Sequence, residues 1–172
     1  ISQSMTKDGD VFRGKNFDLV EIDSPAISAD WLDEKYHYDG FVFLSKHAAE
    51  SGTLALTCHS TGNFNEAKFG GNDQEIAIPY SNFQKQYMQN LWNVHESFSD
   101  FQITIEATHH GPTHLKKPSI FVEIGTTEYQ WTDEFLCSSV AQLVIDTYEQ
   151  ESTSFPFAIC FGGTHYSEKF TK

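Results

Sequence analysis

The chain has 172 residues, 24 acidic and 11 basic side chains, and a formal net charge of -13. A hydrophobic fraction of 39% and an aromatic fraction of 15% exclude a disordered chain, and no apolar run reaches the length of about 18 residues that a membrane span needs. The acidity excludes broad, non-specific nucleic-acid binding, which needs a positive field, but it leaves room for a local basic patch.

The length predicts a single domain over residues 1–172. The opening residues lack the apolar stretch of a signal peptide, and the three cysteines (Cys58, Cys137 and Cys160) are too far apart for a disulfide framework or a CxxC pair. We therefore expect a cytoplasmic protein. Because the sequence starts at Ile1 rather than Met and stops soon after a Gly-Gly-Thr-His segment, we also expect pieces to be missing at both ends.

Short apolar runs predict three strands in the first third of the chain, at 17–22, 40–44 and 53–57. A helix is predicted from Tyr80 to about Phe98, because apolar residues recur there every three or four positions. Pro79 comes directly before it, where the start of a helix tolerates proline.

The second half of the chain continues the alternation of strands and helices. Strands are predicted at 101–107, 119–124 and 155–161. Thr127 and Gln130 have capping-box spacing ahead of an amphipathic helix that runs to about Tyr148. This order predicts an α/β fold with a mixed, mainly parallel sheet flanked by helices.

A polar residue or a glycine follows five of the predicted strands. Ligands of α/β sheets bind outside the carboxyl ends of the strands, so we expect these five positions to converge on one rim. They are His47, His59, His109, Gly125 and His165.

The segment 106–114, EATHHGPTH, is the most unusual stretch of the chain. Its histidines can act as acid, base or metal ligand near neutral pH, or they can simply cap backbone carbonyls in a polar turn. Glu106 and Glu123 lie in or beside apolar strands, so each must pair with a histidine, a metal or a salt-bridge partner. Cys58 is expected to be a small buried residue rather than a nucleophile.

Three loops have the composition of an anion-binding site, although each could be an ordinary loop. Lys46 and His47 could meet a phosphate or a carboxylate. The residues 57–63 could form a backbone nest, without the spacing of a P-loop, and Gly162-Gly163 allows close backbone approach. Four histidines and two glutamates near one rim could hold zinc, although neither HExxH nor CxxC is present.

Taken together, five motifs resemble the archaeal and plant type of D-aminoacyl-tRNA deacylase: SKH (45–47), CHSTGN (58–63), EATHHGPT (106–113), FVEIGTT (121–127) and GGTHY (162–166). They occur in the order of that family and cover most of the chain. The resemblance implies a phosphorylase- or peptidyl-tRNA-hydrolase-like fold, dependence on zinc, and hydrolysis of the ester between a D-amino acid and the terminal ribose of tRNA.

The sequence departs from the family pattern in four places. The family usually has a further strand ahead of Ile1 and an AFGH-type histidine motif after GGTHY, and neither is present here. Cys58 stands where threonine is common, and Ala48-Ala49 replaces a more hydroxyl-rich stretch. If the chain ends at Lys172, closure of the rim is in question.

The resemblance assigns roles to the motif residues. The predicted catalytic residues are His109, His110, His47, Glu106 and His165, and the candidate zinc ligands are His109, His110, His59 and Glu123. The predicted substrate-binding residues are Lys46, His59, Gly62, Asn63, Thr113, Lys116, Lys117, Gly163 and Thr164.

The expected partner is the acceptor end of D-aminoacyl-tRNA, bound by a monomer with no membrane and no protein partner. Two other functions stay open. One is a non-catalytic or degenerate module that binds nucleotides or tRNA ends, and the other is a metal-dependent hydrolase or phosphorylase acting on a small nucleoside.

Overall fold

The computed structural model describes residues 5–49, 51–150 and 155–171, which form two sheets. The small sheet is antiparallel, with the order β1-β2-β3. Its strands are β1 (Thr6–Asp8), β2 (Val11–Arg13) and β3 (Asp18–Val20). The main sheet has the order β4-β7-β5-β6. Its strands are β4 (Phe41–His47), β5 (Ala55–His59), β6 (Gln102–Ile105) and β7 (Ser119–Gly125).

Two long helices accompany the main sheet, α2 (Ser81–Asn93) and α4 (Glu134–Glu149). The short helices are α1 (Leu32–Lys35), α3 (Glu128–Trp131) and α5 (Glu168–Thr171), with 3-10 turns at Ala26–Ser28 and His95–Phe98. The predicted capping box is confirmed, because the Gln130 side-chain oxygen accepts from the Thr127 backbone N–H at 3.2 Å. No helix in the described ranges is both long and apolar enough to cross a membrane.

The main sheet is mixed and mainly parallel, as predicted. β4 pairs with β7 in parallel and β5 pairs with β6 in parallel, but β5 and β7 are antiparallel. The carboxyl ends of β4 and β7 therefore lie at the opposite end of the sheet from those of β5 and β6. The expectation that five strand ends converge on one rim is wrong, because strand positions along the chain do not reveal strand direction.

One face of the main sheet is apolar and carries both long helices. Leu56, Val122 and Ile124 project from this face into a core shared with α2 and α4. Tyr87 of α2 and Val140 of α4 are among the buried residues that complete it. Both long helices thus flank the sheet, as predicted, and they cover the same face of it.

The other face is apolar at one end and polar at the other. Phe41, Phe43 and Phe121 pack at the apolar end against the N-terminal segment, including Leu32 of α1. Side chains alternate between the two faces along a strand, so His47, four residues after Phe43, lies on the same face as Phe43. The functional site is on this polar half of the face.

Two predicted strands differ from the structure. The segment 17–22 contributes β3, which is half-buried in the small sheet instead of buried in the main one. The segment 155–161 is irregular and largely exposed. Apolar alternation favours a strand only where a neighbouring strand supplies backbone partners, and no strand lies against this segment in the part of the chain that the structure describes.

Candidate active site

Glu123 lies at the centre of the site, in the middle strand of a three-strand group. The strand register places it beside Ser45 of β4 and Thr57 of β5. Glu106 follows the end of β6, where its backbone N–H donates to the Cys58 carbonyl at 3.1 Å. The sheet therefore brings two buried carboxylates to one face.

His47 joins the two carboxylates. Its Nδ1 lies 3.1 Å from Glu106 Oε1 and 3.3 Å from Glu123 Oε2. These carboxylates, Glu106 first, raise the pKa of His47 to about 9 although burial opposes the charge. The imidazole is therefore a cation at neutral pH, in contact with two anions.

Both carboxylates stay ionised despite their burial. Burial of Glu123 favours the neutral acid, but the contacts with His47 and His59 outweigh it and lower the pKa of Glu123 to about 2. Burial acts on Glu106 in the same sense, and His47 and Thr57 lower its pKa against that effect. The site thus holds fixed negative charge in a water-poor environment.

His165 and Tyr166 complete this side of the site. His165 Nε2 lies 2.7 Å from Glu106 Oε2, and half of the His165 side chain is exposed. The Tyr166 hydroxyl lies 2.9 Å from His47 Nε2. A backbone hydrogen bond from the Ala107 N–H to the His165 carbonyl holds the segment in place.

Three further imidazoles form a second group beside the carboxylates. The ring centroids of His59 and His109 are 4.1 Å apart, and His110 lies 4.8 Å from His59. Each ring has its Nδ1 near a backbone carbonyl: His59 near Ser60 at 3.1 Å, His109 near Ala107 at 2.7 Å and His110 near Gly111 at 2.6 Å. If each Nδ1 donates its proton, every Nε2 keeps a free lone pair.

The environment of these rings favours neutral imidazole. Burial, followed by the neighbouring His59, lowers the pKa of His109 to about 4 and also lowers the pKa of His110. Neutral imidazole with Nε2 free is the form that binds a metal ion. His110 adopts a positive φ of 45°, a conformation sparsely populated by residues other than glycine.

Three groups of residues place one ligand atom each within 4.8 Å of one another: His59, His109 and His110; His47, Glu106 and His165; and His59, Glu106 and Glu123. The fit to a metal has independent support. His59 Nε2 is buried without a hydrogen-bond partner among the described residues, and so are both oxygens of Glu106, whose imidazole contacts lack hydrogen-bond geometry. Such atoms need either a water or an ion.

The loop 62–75 supports the histidine segment. The Gly62 N–H donates to the His110 carbonyl at 2.8 Å, and a Cβ at Gly62 would lie only 3.0 Å from Thr108. Asn63 donates its side-chain amide to Gly70 and Asn72, and Thr113 donates its hydroxyl to Glu75. The side-chain nitrogen of Asn63 and the hydroxyl of Thr113 are thus hydrogen-bonded to this loop.

The predicted basic contacts lie apart from the histidines. Lys46 projects to the opposite face of the sheet, with its ammonium 5.1 Å from the Trp131 ring centre. Lys117 pairs with Asp39 at 3.8 Å, and the Lys116 backbone donates to Asp33. Gly163 and Thr164 directly precede His165 and are exposed. These two predicted substrate contacts therefore lie next to a catalytic candidate.

Sequence reasoning missed several residues that build the site. Tyr166 contacts His47, and Asp30 Oδ1 accepts from the backbone of Thr113 and His114. Phe64 and Phe69 are exposed on the supporting loop, and the Phe69 carbonyl accepts from Gly111 at 3.0 Å. Cys58 is buried as predicted, and its burial raises the pKa of the thiol to about 12.

Comparison with known proteins gives this geometry a context. A family model described as D-aminoacyl-tRNA deacylase matches residues 34–172. A D-aminoacyl-tRNA deacylase of Cenarchaeum symbiosum is 63% identical over 171 residues, covering 99% of this chain and 66% of the relative. A deacylase of Archaeoglobus fulgidus is 33% identical over 166 residues, covering 94% of this chain and 60% of the relative.

A solved structure supports the fold. The crystal structure of a conserved protein of unknown function matches with a TM-score of 0.91 and 32% identity, over 98% of this chain and 62% of that one. The chain spans less than two thirds of the length of the two deacylases named above. Since the family model covers most of the chain and the identity to named relatives is high, this chain belongs to the D-aminoacyl-tRNA deacylase family.

Proposed function

We propose that this chain carries the active site of an esterase that hydrolyses the bond between a D-amino acid and the terminal ribose of tRNA. The observation that carries the proposal is the cluster of five histidines around two buried carboxylates, in a chain of the D-aminoacyl-tRNA deacylase family. The products are the free D-amino acid and the free tRNA.

The reaction needs few catalytic groups, because an aminoacyl ester is already reactive. A base must take a proton from the attacking water, and the negative charge that develops on the carbonyl oxygen must be stabilised. The same base returns the proton to the departing ribose hydroxyl. The candidates are therefore imidazoles that reach both solvent and a buried carboxylate.

His165 fits the role of general base. Its Nε2 faces Glu106 at 2.7 Å, which leaves Nδ1 to accept a proton, and 51% of its side chain is exposed. The contact lacks hydrogen-bond geometry, so Glu106 acts on His165 through its charge, which stabilises the imidazolium that forms when the ring takes a proton. Glu106 is then a positioning residue for His165.

His47 is better suited to carry positive charge than to remove protons. Because its pKa is raised to about 9, it holds its proton at neutral pH. Its charge offsets the two carboxylates, so that a developing oxyanion does not meet an uncompensated pair of negative charges. The Tyr166 hydroxyl, 2.9 Å from Nε2, fixes the orientation of the ring.

His59, His109 and His110 would hold the zinc ion. Glu123 borders this group, with its Oε1 3.9 Å from His59 Nε2. Zinc, when bound, supplies Lewis acidity to a carbonyl oxygen or a water molecule. The three backbone carbonyls near the Nδ1 atoms orient the rings for this role.

The exposed aromatic rings of the supporting loop suit the acceptor end of a tRNA. Phe64 and Phe69 lie on a loop that is hydrogen-bonded to the histidine segment. Unpaired bases at the end of a tRNA stack on aromatic side chains without regard to sequence. Lys68, between them in the sequence, is exposed and pairs with the equally exposed Glu66 at 3.8 Å, a weak contact that a phosphate can replace.

The decisive test is hydrolysis of D-Tyr-tRNA and L-Tyr-tRNA by the purified chain, before and after treatment with a zinc chelator. We expect turnover of the D ester alone, loss of turnover with the chelator, and recovery when zinc is added back. Substitution His165→Gln should lower kcat by about 10²-fold or more, whereas His95→Gln, an exposed histidine stacked on Trp92, should not change it.

Two results would contradict the proposal. Tight binding of tRNA with no turnover of either ester would indicate a binding module. Phosphate-dependent cleavage of a nucleoside, with no action on aminoacyl-tRNA, would indicate a phosphorylase.

A further inference from the structure

β6 is the last strand in the order of the main sheet, and its outer edge is covered by the segment that carries His165. The Ser167 N–H donates to the Ile105 carbonyl at 2.8 Å. The His165 carbonyl accepts from the Ala107 N–H, also at 2.8 Å. An antiparallel bridge lies between these two hydrogen bonds. The backbone of 165–167 thus supplies partners for groups that a free edge of the sheet would leave unpaired.

A single hydroxyl fastens this pairing to the strand. Thr171 is the last residue of α5, which begins directly after the pairing. Its hydroxyl accepts from the Ile105 N–H at 3.0 Å, donates to the Ser167 carbonyl at 3.0 Å, and lies 3.2 Å from the Thr104 hydroxyl. A threonine hydroxyl has one proton and two lone pairs. With Thr104 as a donor, all three are in use, and α5 is tied to β6 at one atom.

Ile105 depends on this segment for both of its outward backbone groups. Its carbonyl accepts from Ser167, and the Thr171 hydroxyl is the partner of its N–H among the described residues. Glu106, the next residue, turns its N–H towards β5, and its carboxylate lies 2.7 Å from His165 Nε2. His165 comes two positions before Ser167. The two residues that Thr171 ties together are thus close neighbours in the chain of the two residues that meet at the site.

The chain ahead of His165 gives the imidazole little support. Residues 156–164, which precede it, are all exposed, so little of the described molecule packs against them. Tyr166, directly after it, is held by its hydroxyl, which lies 2.9 Å from His47 Nε2. The position of His165 is therefore set by the residues that follow it, through Tyr166 on the face of the sheet and through Thr171 on its edge.

We propose that Thr171 is a positioning residue for His165: its hydroxyl clamps the 165–167 pairing to β6 and so holds the imidazole against Glu106. Thr171 acts through His165 rather than on the substrate. For the part that His165 plays in hydrolysis, the inference rests on the proposed function. Loosening the clamp should slow the chemical step and leave tRNA binding unchanged, because the proposed contacts with the acceptor end lie on the loop 62–75.

Thr171→Val keeps the shape of the side chain and removes the hydroxyl. We expect it to lower kcat for D-Tyr-tRNA by at least about tenfold, with KM within about twofold, because the base is displaced from Glu106 while the contacts with the acceptor end stay. Thr171→Ser restores the hydroxyl and should return kcat to within about threefold of that of the parent chain. A loss of kcat that serine does not recover, or a change confined to KM, would overturn the proposal.

Thr132 provides a matched control. Its hydroxyl donates to the Glu128 carbonyl, four residues earlier, at 2.8 Å, just as Thr171 donates to Ser167. Thr132 is exposed, and within the described residues its hydrogen bonds stay in α3. Thr132→Val should therefore leave kcat and KM unchanged. A loss of kcat equal to that of Thr171→Val would overturn the proposal, because any hydroxyl of this kind would then have the same effect.

Two structural measurements separate a failure of this inference from a failure of the proposed function. Thr171→Val should speed amide exchange at Ile105 and Ser167 by at least about tenfold, and it should shift the ring resonances of His165, whether or not the chain hydrolyses an ester. In the parent chain, which needs no variant to fold, the Ile105 amide should be at least about tenfold better protected from exchange than that of the exposed Gly163.

The outcomes of these measurements are distinct. Equal protection of the Ile105 and Gly163 amides, or His165 resonances that do not move in Thr171→Val, would overturn the proposal. Both structural effects in a chain that turns over neither ester would support the role of Thr171 as a positioning residue and contradict the proposed function alone.

Discussion

Glu106 connects the two halves of the site at the scale of single residues. Its oxygens lie 3.1 Å from His47, 2.7 Å from His165 and 3.8 Å from His109. One carboxylate thus faces a cation, the proposed general base and a candidate metal ligand. Because Glu106 is buried, its charge acts through these neighbours rather than on the substrate directly.

Glu106→Gln tests this arrangement, since it removes the charge and keeps the volume. We expect kcat for D-Tyr-tRNA to fall by about 10²–10³-fold with little change in KM, because His165 loses the partner that orients it. The exposed Glu96, in the 3-10 turn after α2, provides the control, and Glu96→Gln should leave both constants unchanged. A change confined to KM would count against the positioning role.

Glu75 and His114 form a pair whose contribution to stability depends on pH. His114, then Thr113 and Asn72, lower the pKa of Glu75 to about 2, and Glu75 in turn raises the pKa of His114. The Glu75 contribution is present above the ordinary value of 4.5 and is lost as the pH falls towards 2. The His114 contribution is complete below 6.5 and is lost as the pH rises through the raised value.

The two directions together define a window of pH in which the pair stabilises the loop most. We expect Glu75→Gln to lower Tm most between pH 4.5 and 6.5, with a smaller difference from the parent chain at pH 3 and at pH 9. Thermal unfolding of the variant and of the parent chain at pH values from 3 to 9 measures this difference in Tm. A Tm difference that does not vary with pH would show that Glu75 acts through neutral hydrogen bonds alone.

At the scale of elements, the start of α4 depends on a single side chain. Asp133 accepts from the Leu136 backbone N–H at 2.9 Å and so satisfies one of the unpaired donors of the first turn. We expect Asp133→Ala to lower the free energy of unfolding by about 1 kcal/mol in urea titrations. Asp146→Ala, on the exposed side of the same helix, should cost less, and equal losses would argue against the cap.

Periodicity predicted most elements, because it depends on local burial. The helix stripe through Phe83, Tyr87 and Leu91 forms the buried side of α2, and the Thr127–Gln130 spacing forms a real capping box. Strand direction depends on contacts between distant segments, so the antiparallel pairing of β5 with β7 could not be predicted. The contact between His165 and Glu106 joins residues 59 positions apart, so local periodicity could not predict it either.

At the scale of the whole molecule, the site forms because the two faces of the mixed sheet differ in polarity. Alternation puts Leu56 and Val122 towards the helices and Thr57 and Glu123 towards the opposite face. The predicted histidines and glutamates therefore do meet, on a face rather than at a rim, whereas the predicted lysines lie apart from them. Polar groups on the face of a sheet need partners for their hydrogen bonds, either from other polar side chains or from a ligand. The histidines and carboxylates are such partners for one another on this face.

The net charge of -13 sets how a tRNA could approach this face. The Lys117 ammonium pairs with Asp39, whereas Asp33 accepts from the Lys116 backbone and leaves the Lys116 ammonium unengaged by that contact. The exposed Lys68 beside Phe69 pairs with the exposed Glu66 at 3.8 Å, a contact that a phosphate can replace. Each phosphate that a lysine neutralises adds about 0.7–0.9 to the slope of log affinity against log salt. Contact with two or three phosphates at the acceptor end therefore predicts a shallow dependence, with a slope between about -1 and -3.

This expectation can be measured as KM for D-Tyr-tRNA between 50 and 200 mM salt, which should rise by about 4- to 60-fold. Lys68→Gln should reduce the slope by about one, whereas Phe69→Ala should raise KM at every salt concentration and leave the slope unchanged, because stacking releases no counterions. A slope as steep as that of proteins with six or more phosphate contacts would mean that the acidic chain binds tRNA through a surface other than this loop.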